Sequence, residues 1–208
     1  MMLSIYAAVG LAALLFLVLP SKRLPVKVRG ALALLLLALS QVPVDGISLA
    51  GHWQASVGEL AITTTLLLLT LAWRRLRGQR PLLPAGMRGP LMGLGVFALI
   101  FYPLSMGAGS IDPYRTGFIP ALALALIFVV TLLLWWRGRN AFLVAALALA
   151  TLAYAVDALP SRNYWDYLFD PVLAVFGLNL AIRRALQRWR VRRQKAQRQR
   201  VAAVAENA

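Results

Sequence analysis

Long apolar runs separated by short polar connections set the pattern of this chain. Ala31–Leu39, Leu66–Ala72 and Ala121–Trp136 are almost uninterrupted stretches of Ala, Leu and Val. Strands of a membrane barrel alternate apolar and polar residues, so runs of this kind predict helices. The first predicted span is Leu3–Leu19, closed by Pro20 and a basic connection, and the second is Val28–Val42, ending at Pro43. The third, Val44–Trp73, starts polar and Gly-punctuated and finishes Leu-rich. Leu91–Met106 follows, with Pro103 expected to kink or end it, then Phe118–Trp136, with Pro120 in its first turn, and Ala141–Val156. A seventh span reaches Ile182, but its apolar part, Val172–Ile182, is short against the roughly 20 residues a bilayer requires. That helix is therefore expected to take in Tyr164–Asp170.

Composition identifies the solvent these helices expect. Of 208 residues, 61% are hydrophobic and 14% charged, with a mean hydropathy of +0.72. A water-soluble fold of this size has no interior large enough for that much apolar surface. The chain is thus read as all-α, a polytopic integral membrane helix bundle of about seven transmembrane helices, with lipid satisfied by closed backbone hydrogen bonding. The absence of cysteine excludes disulfides and thiolate metal sites.

The charge of +15 acquires meaning from its distribution. Twenty of the 22 basic residues fall in alternate connections: Lys22 to Arg29, Arg74 to Arg88, Arg137 with Arg139, and nine from Arg183 to Arg200. This is the positive-inside pattern. It places the N-terminus outside, the C-terminus in the cytoplasm, a transmembrane bundle over residues 1–182 and a cytoplasmic polybasic tail over 183–208. Positive charges follow the first apolar run, whereas a secretory signal carries them before it, so that run is expected to stay as a helix. The Arg-over-Lys bias and Ala/Leu richness fit a GC-rich bacterium, hence a multi-pass protein of the cell inner membrane.

With this orientation Asp45, Glu59, Asp112, Asp157, Asp166 and Asp170 all fall at the external end, and of the acids only Glu206 lies inside. The orientation rule does not demand such sorting of acids. At 100° per residue His52, Ser56, Glu59, Thr63 and Thr70 lie within about 60° of one another, a polar stripe down one helix. Asn163, Asp166, Tyr167 and Asp170 likewise share a face. The candidate site is the convergence of His52, Ser56, Glu59, Asp112, Tyr114, Arg115, Arg162, Asn163, Trp165, Asp166, Tyr167 and Asp170 at the external mouth. Arg115 and Arg162 are the expected counter-ions, and Glu59, the deepest acid, is expected to have a raised pKa.

Each feature also has a plainer reading. Asp112-Pro113 and Asp170-Pro171 fit helix caps, and Tyr164, Trp165 and Tyr167 fit interfacial anchors. One histidine is too few for a zinc site, and no Gly-x-Ser-x-Gly elbow or nucleotide loop occurs, so no metal and no cofactor is expected. Gly93 and Gly95 fit close helix packing. The basic tail fits membrane lipids and their anionic headgroups better than nucleic acid. No motif is specific enough to transfer residues from a known family.

Three functions stay open. The first is a non-catalytic cell-envelope component that binds an envelope lipid or a larger membrane protein partner through the external cluster. The second is a small proton-coupled transporter or lipid flippase using Glu59 and Asp166. The third is a membrane-embedded enzyme acting on a lipid-linked substrate through Glu59, Asp166 or Asp170. Catalysis is the less favoured expectation, since it needs two carboxyls with separated pKa values at one reacting atom.

Overall fold

In a computed structural model, which describes residues 2–136 and 140–206, the apolar runs form helices and turn residues set their ends. Helix α1 (Met2–Val18) stops before Pro20, a 3-10 turn covers Ser21–Arg23, and Pro25 precedes α2 (Val26–Ser40). The expected link at Arg137 and Arg139 lies outside the described residues.

The continuous third span expected over Val44–Trp73 does not form. Its start is a small antiparallel hairpin of β1 (Pro43–Val44) and β2 (Ile47–Ser48), with Val44 opposite Ile47. Asp45 and Gly46, with φ of 49° and 81°, make the tight turn, the conformation an Asp-Gly pair favours between two strands. Ser48 then caps α3 (Leu49–Val57), its Oγ accepting from the Gly51 N–H at 3.1 Å. Gly58, at φ 84°, ends α3 in a conformation open chiefly to glycine, and α4 (Ile62–Leu76) starts afresh.

Helix α5 (Arg88–Ser105) carries Pro103 in its last turn; α6 (Pro120–Trp136) and α7 (Ala141–Ala155) follow. The last span also differs from expectation. A one-turn helix α8 (Trp165–Leu168) is followed by Phe169 in extended backbone, and α9 (Pro171–Glu206) begins at the proline. Tyr164–Asp170 is therefore a folded connection outside α9. Helix α9 runs without a break through residue 183, from an apolar start into the basic sequence. At 1.5 Å per residue it is about 54 Å long.

These breaks leave the helices short. Among the described helices α5 alone is both long and apolar enough to cross a bilayer, while Ile5–Val18, Leu124–Trp136 and Ala141–Ala155 are apolar but shorter. By length and hydropathy the structure supports one crossing where the sequence predicts seven.

Two contacts lock the bundle. Helices α5 and α9 cross at glycines: a Cβ on Gly95 would lie 2.1 Å from the Leu178 nitrogen, and one on Gly177 2.1 Å from the Leu91 carbonyl oxygen. Gly93 faces open space, so of the Gly-Leu-Gly pair only Gly95 makes the close approach. In the last turn of α4, Arg75, 4% exposed, donates to the Leu17 oxygen and, at 2.6 Å, to the Leu19 oxygen. Its guanidinium thus closes the carbonyl end of α1, where a cation is favoured. Arg29 in turn donates to the Arg75 carbonyl at 3.0 Å.

Candidate functional site

At the opposite end the 161–170 connection is built around its own polar side chains. The Ser161 hydroxyl accepts from the Asn163 N–H at 3.0 Å and donates to Asp166 Oδ2 at 2.5 Å, which closes the segment on itself. Asn163, fully buried, donates from Nδ2 to the Tyr114 carbonyl at 2.9 Å and accepts from the Trp165 N–H at 2.9 Å. Its amide leaves no room beside it: a Cβ on Gly117 would lie 1.8 Å from Asn163 Oδ1. Only glycine lets the 112–118 loop reach this close, and its carbonyl accepts from the Tyr164 N–H at 3.1 Å.

The same loop reaches Asp166. Tyr114 donates its phenol to Asp166 Oδ2 at 2.8 Å, and the Trp165 indole donates to Thr116 Oγ1 at 3.0 Å. Asp112 accepts from the Tyr114 N–H at 2.9 Å, the local cap its Asp-Pro sequence suggests. Burial, the bond to Asp166 and that carboxylate's charge push the Tyr114 phenol up to about 12.

Asp170 ties two helix starts together. Oδ1 accepts from the Leu173 N–H at 2.8 Å, so it caps α9, and Oδ2 accepts from the Ala61 N–H at 2.8 Å at the start of α4. It is 4% exposed; both helix N-termini favour its charge, but burial outweighs them and raises its pKa. The Thr63 hydroxyl adds a bond to the Leu168 carbonyl at 2.5 Å. Thr64 presents its hydroxyl to Asp170 from α4 without reaching hydrogen-bond geometry.

Glu59 lies in the 58–61 link, outside both flanking helices. Oε1 accepts from Gln54 Nε2 at 3.1 Å, while Oε2 is buried with no hydrogen-bond partner. Burial raises its pKa, the Gln54 bond opposes this, and the Asp166 charge adds to it.

The structure therefore brings Asp112, Tyr114, Asn163, Trp165, Asp166 and Tyr167 into one network, places Asp170 beside it on Ala61, and sets Glu59 within electrostatic reach. Other candidates are used elsewhere. The His52 ring bonds the Val44 carbonyl at 2.9 Å, and the Ser56 hydroxyl donates to the His52 carbonyl at 2.9 Å, so the two bind the hairpin to α3. The expected stripe from His52 to Thr70 is broken at Gly58. Arg115 and Arg162 are exposed, and among the described residues no ion pair joins either to an acid. Hydroxyls and backbone N–H groups take the place expected for arginine.

Tyr164 and Tyr167 are not surface anchors: both are fully buried. The Tyr167 phenol accepts from the Leu159 N–H at 3.1 Å and donates to the Leu159 carbonyl at 2.9 Å. Trp165 and Phe169 pack edge-on against Phe101 of α5, at 5.6 Å and 5.0 Å between ring centroids.

Sequence reasoning missed Ser161 and Gly117 as members of the network. Ser161 stood in plain view as a hydroxyl two residues before an Asn, a spacing that makes side chain to backbone turns. Gly117 gave no signal, because its role is set by Asn163, 46 positions on.

Beneath the network lies an apolar cavity of about 230 Å³. Thr63, Trp165 and Phe169 form its upper wall, and Leu147 and Phe142 of α7 continue it toward the basic end. Among the described residues no group of three or more His, Asp or Glu is placed to hold a metal ion. No family model, curated protein or solved structure compared with the chain matches it.

Proposed function

We propose that this chain is a multi-pass protein of a bacterial inner membrane, N-terminus external and C-terminus cytoplasmic, that binds an envelope lipid without catalysing a reaction on it. Apolar side chains on the outside of the bundle favour a lipid environment: Leu34 and Leu35 of α2, Leu99 and Ile100 of α5, Phe128 and Leu133 of α6 are each more than half exposed. Helices of 15 to 18 residues, about 22–27 Å long, are short for an average bilayer and are accommodated by local thinning and by the Trp and Arg residues at their ends.

One observation carries the lipid reading over catalysis. Asp112, Asp166 and Asp170 are engaged in fixing the chain, each on its own partners, and the cavity below Trp165 and Phe169 is lined almost wholly by hydrocarbon. A cavity of that lining, in which the Thr63 hydroxyl is committed to the Leu168 carbonyl, suits an acyl chain better than a polar reacting group. Protein purified in mild detergent is expected to retain about one lipid that is lost in Ala146→Phe, where a ring fills the cavity. Equal lipid in both proteins, at equal thermal stability, removes the reading.

Proton-coupled transport is the second reading, supported by Glu59. A carboxyl with a raised pKa and one buried, unpartnered oxygen has the properties of a proton-exchanging group. It predicts that Glu59→Gln abolishes proton-dependent flux in vesicles while leaving the retained lipid unchanged.

A further inference from the structure

A second ligand region lies at the end away from the acids, where the 81–83 segment, the first turns of α5 and the middle of α9 enclose about 490 Å³. Four arginines line it: Arg88 from α5, and Arg183, Arg184 and Arg188 from one face of α9. The apolar positions on that same face, Phe176 and Leu180, precede them by one to three turns, and Met92 sits one turn beyond Arg88. The Gly95–Gly177 crossing holds the two helices together close by, since Phe176 and Leu180 on either side of Gly177 both line the cavity. Arg183 is steadied by Asn179, whose Oδ1 accepts from its Nε at 2.9 Å. Among the described residues no carboxylate pairs with any of the four.

Pro81, Leu83 and Phe176 are shared with a neighbouring cavity of about 330 Å³. That one is hydrocarbon apart from Thr64, lined by Leu14 and Leu17 of α1, Leu71 of α4 and Val172 of α9. A cationic chamber and an apolar slot that adjoin at shared lining residues match a molecule with an anionic head and a hydrocarbon chain. A nucleic acid would use the arginines and have nothing to place in the slot, and free phosphate likewise.

We propose that these joined cavities hold an anionic phospholipid, its phosphodiester against Arg88, Arg184 and Arg188 and one acyl chain between α1, α4 and α9. Guanidinium groups bind phosphate oxygens in pairs of parallel hydrogen bonds, which favours arginine here over lysine. The site rests on the membrane reading; its acyl slot shares Leu67 and Leu173 with the cavity under Trp165, whereas Ala146 lines that cavity and not the slot, so Ala146→Phe separates the two.

The test is native mass spectrometry of the purified full chain in the Ala146→Phe background, which removes the other lipid. The probes are dioleoylphosphatidylglycerol, dioleoylphosphatidylcholine, glycerol 3-phosphate and a short single-stranded DNA. Phosphatidylglycerol is expected to bind with one-to-one stoichiometry and more tightly than the other three. Arg184→Ala with Arg188→Ala should weaken it about tenfold or more, and Arg192→Ala with Arg193→Ala, farther along α9, should leave it unchanged. Equal weakening by both pairs would show diffuse attraction and overturn the site. Glycerol 3-phosphate or DNA binding as tightly as the lipid would overturn the acyl slot. Absence of the protein from the membrane fraction of cells would overturn the membrane reading instead, whatever the adducts show.

Discussion

Asp170 is the residue on which most of the acidic end depends. Its carboxylate serves two helix starts at once, and removing it leaves the Ala61 and Leu173 N–H groups buried without acceptors. Asp170→Ala is expected to cost about 3 kcal/mol, and Asp170→Asn, which still caps α9, clearly less; reversible unfolding in mixed micelles measures both. Tyr114→Phe removes one donor from Asp166 and should cost about 1 kcal/mol.

Glu59 and Tyr114 give pH signatures of the same sign. For Glu59 and for Tyr114 the folded state favours the protonated group, so their stabilisation is complete below the ordinary pKa and is lost as pH rises through the folded one. Tyr114 therefore contributes up to pH 10 and loses its contribution toward about 12. A phenolate difference spectrum between wild type and Tyr114→Phe is expected to rise near pH 12. Glu59→Gln should flatten the fall in stability across the acid-to-neutral range, as thermal unfolding at a series of pH values would show. The raised Glu59 was legible beforehand from depth alone. The partners of Asp166 were not, because an acid in a sequence announces its need for a partner and not whether Arg115, a hydroxyl or an N–H will supply it.

At the scale of elements, periodicity located the helices and failed at their interruptions. Asp45-Gly46 and Gly58 are short signals embedded in a span long enough to read as one helix, yet positive φ at each overrides the surrounding pattern. Phe169, in extended backbone, and Pro171, which starts α9, break the last span. Angular reasoning across those points placed residues on common faces that do not exist, which is why His52 and Ser56 fall outside the network. The Asp-Pro caps and the close packing at Gly95 were readable, since each depends on neighbours in sequence or on the absence of a side chain. Helix contact gives a sharp prediction. Gly95→Ala and Gly177→Ala drive a methyl group into backbone and should each cost about 1–3 kcal/mol. Gly93→Ala, two residues away and facing open space, should be neutral or stabilising by up to about 1 kcal/mol.

Across the whole molecule, the arginines of α2, α4, α5 and α9 gather at one end, and Glu59, Asp112, Asp166 and Asp170 gather at the other. Sequence arithmetic anticipated this sorting because it needs only the order of apolar runs and charges. It did not anticipate the cavities, which depend on how helices far apart in the chain pack together. The absence of cysteine makes the sorting directly measurable, since any introduced thiol is unique. Single cysteines at exposed positions on the two ends, Ser110→Cys and Ala158→Cys against Gln79→Cys and Gln187→Cys, can be probed in intact cells with a membrane-impermeant maleimide. The multi-pass orientation proposed here predicts labelling of the first pair in intact cells and of the second pair only after the membrane is opened. Labelling of Gln187→Cys in intact cells, or equal labelling of all four, would contradict it.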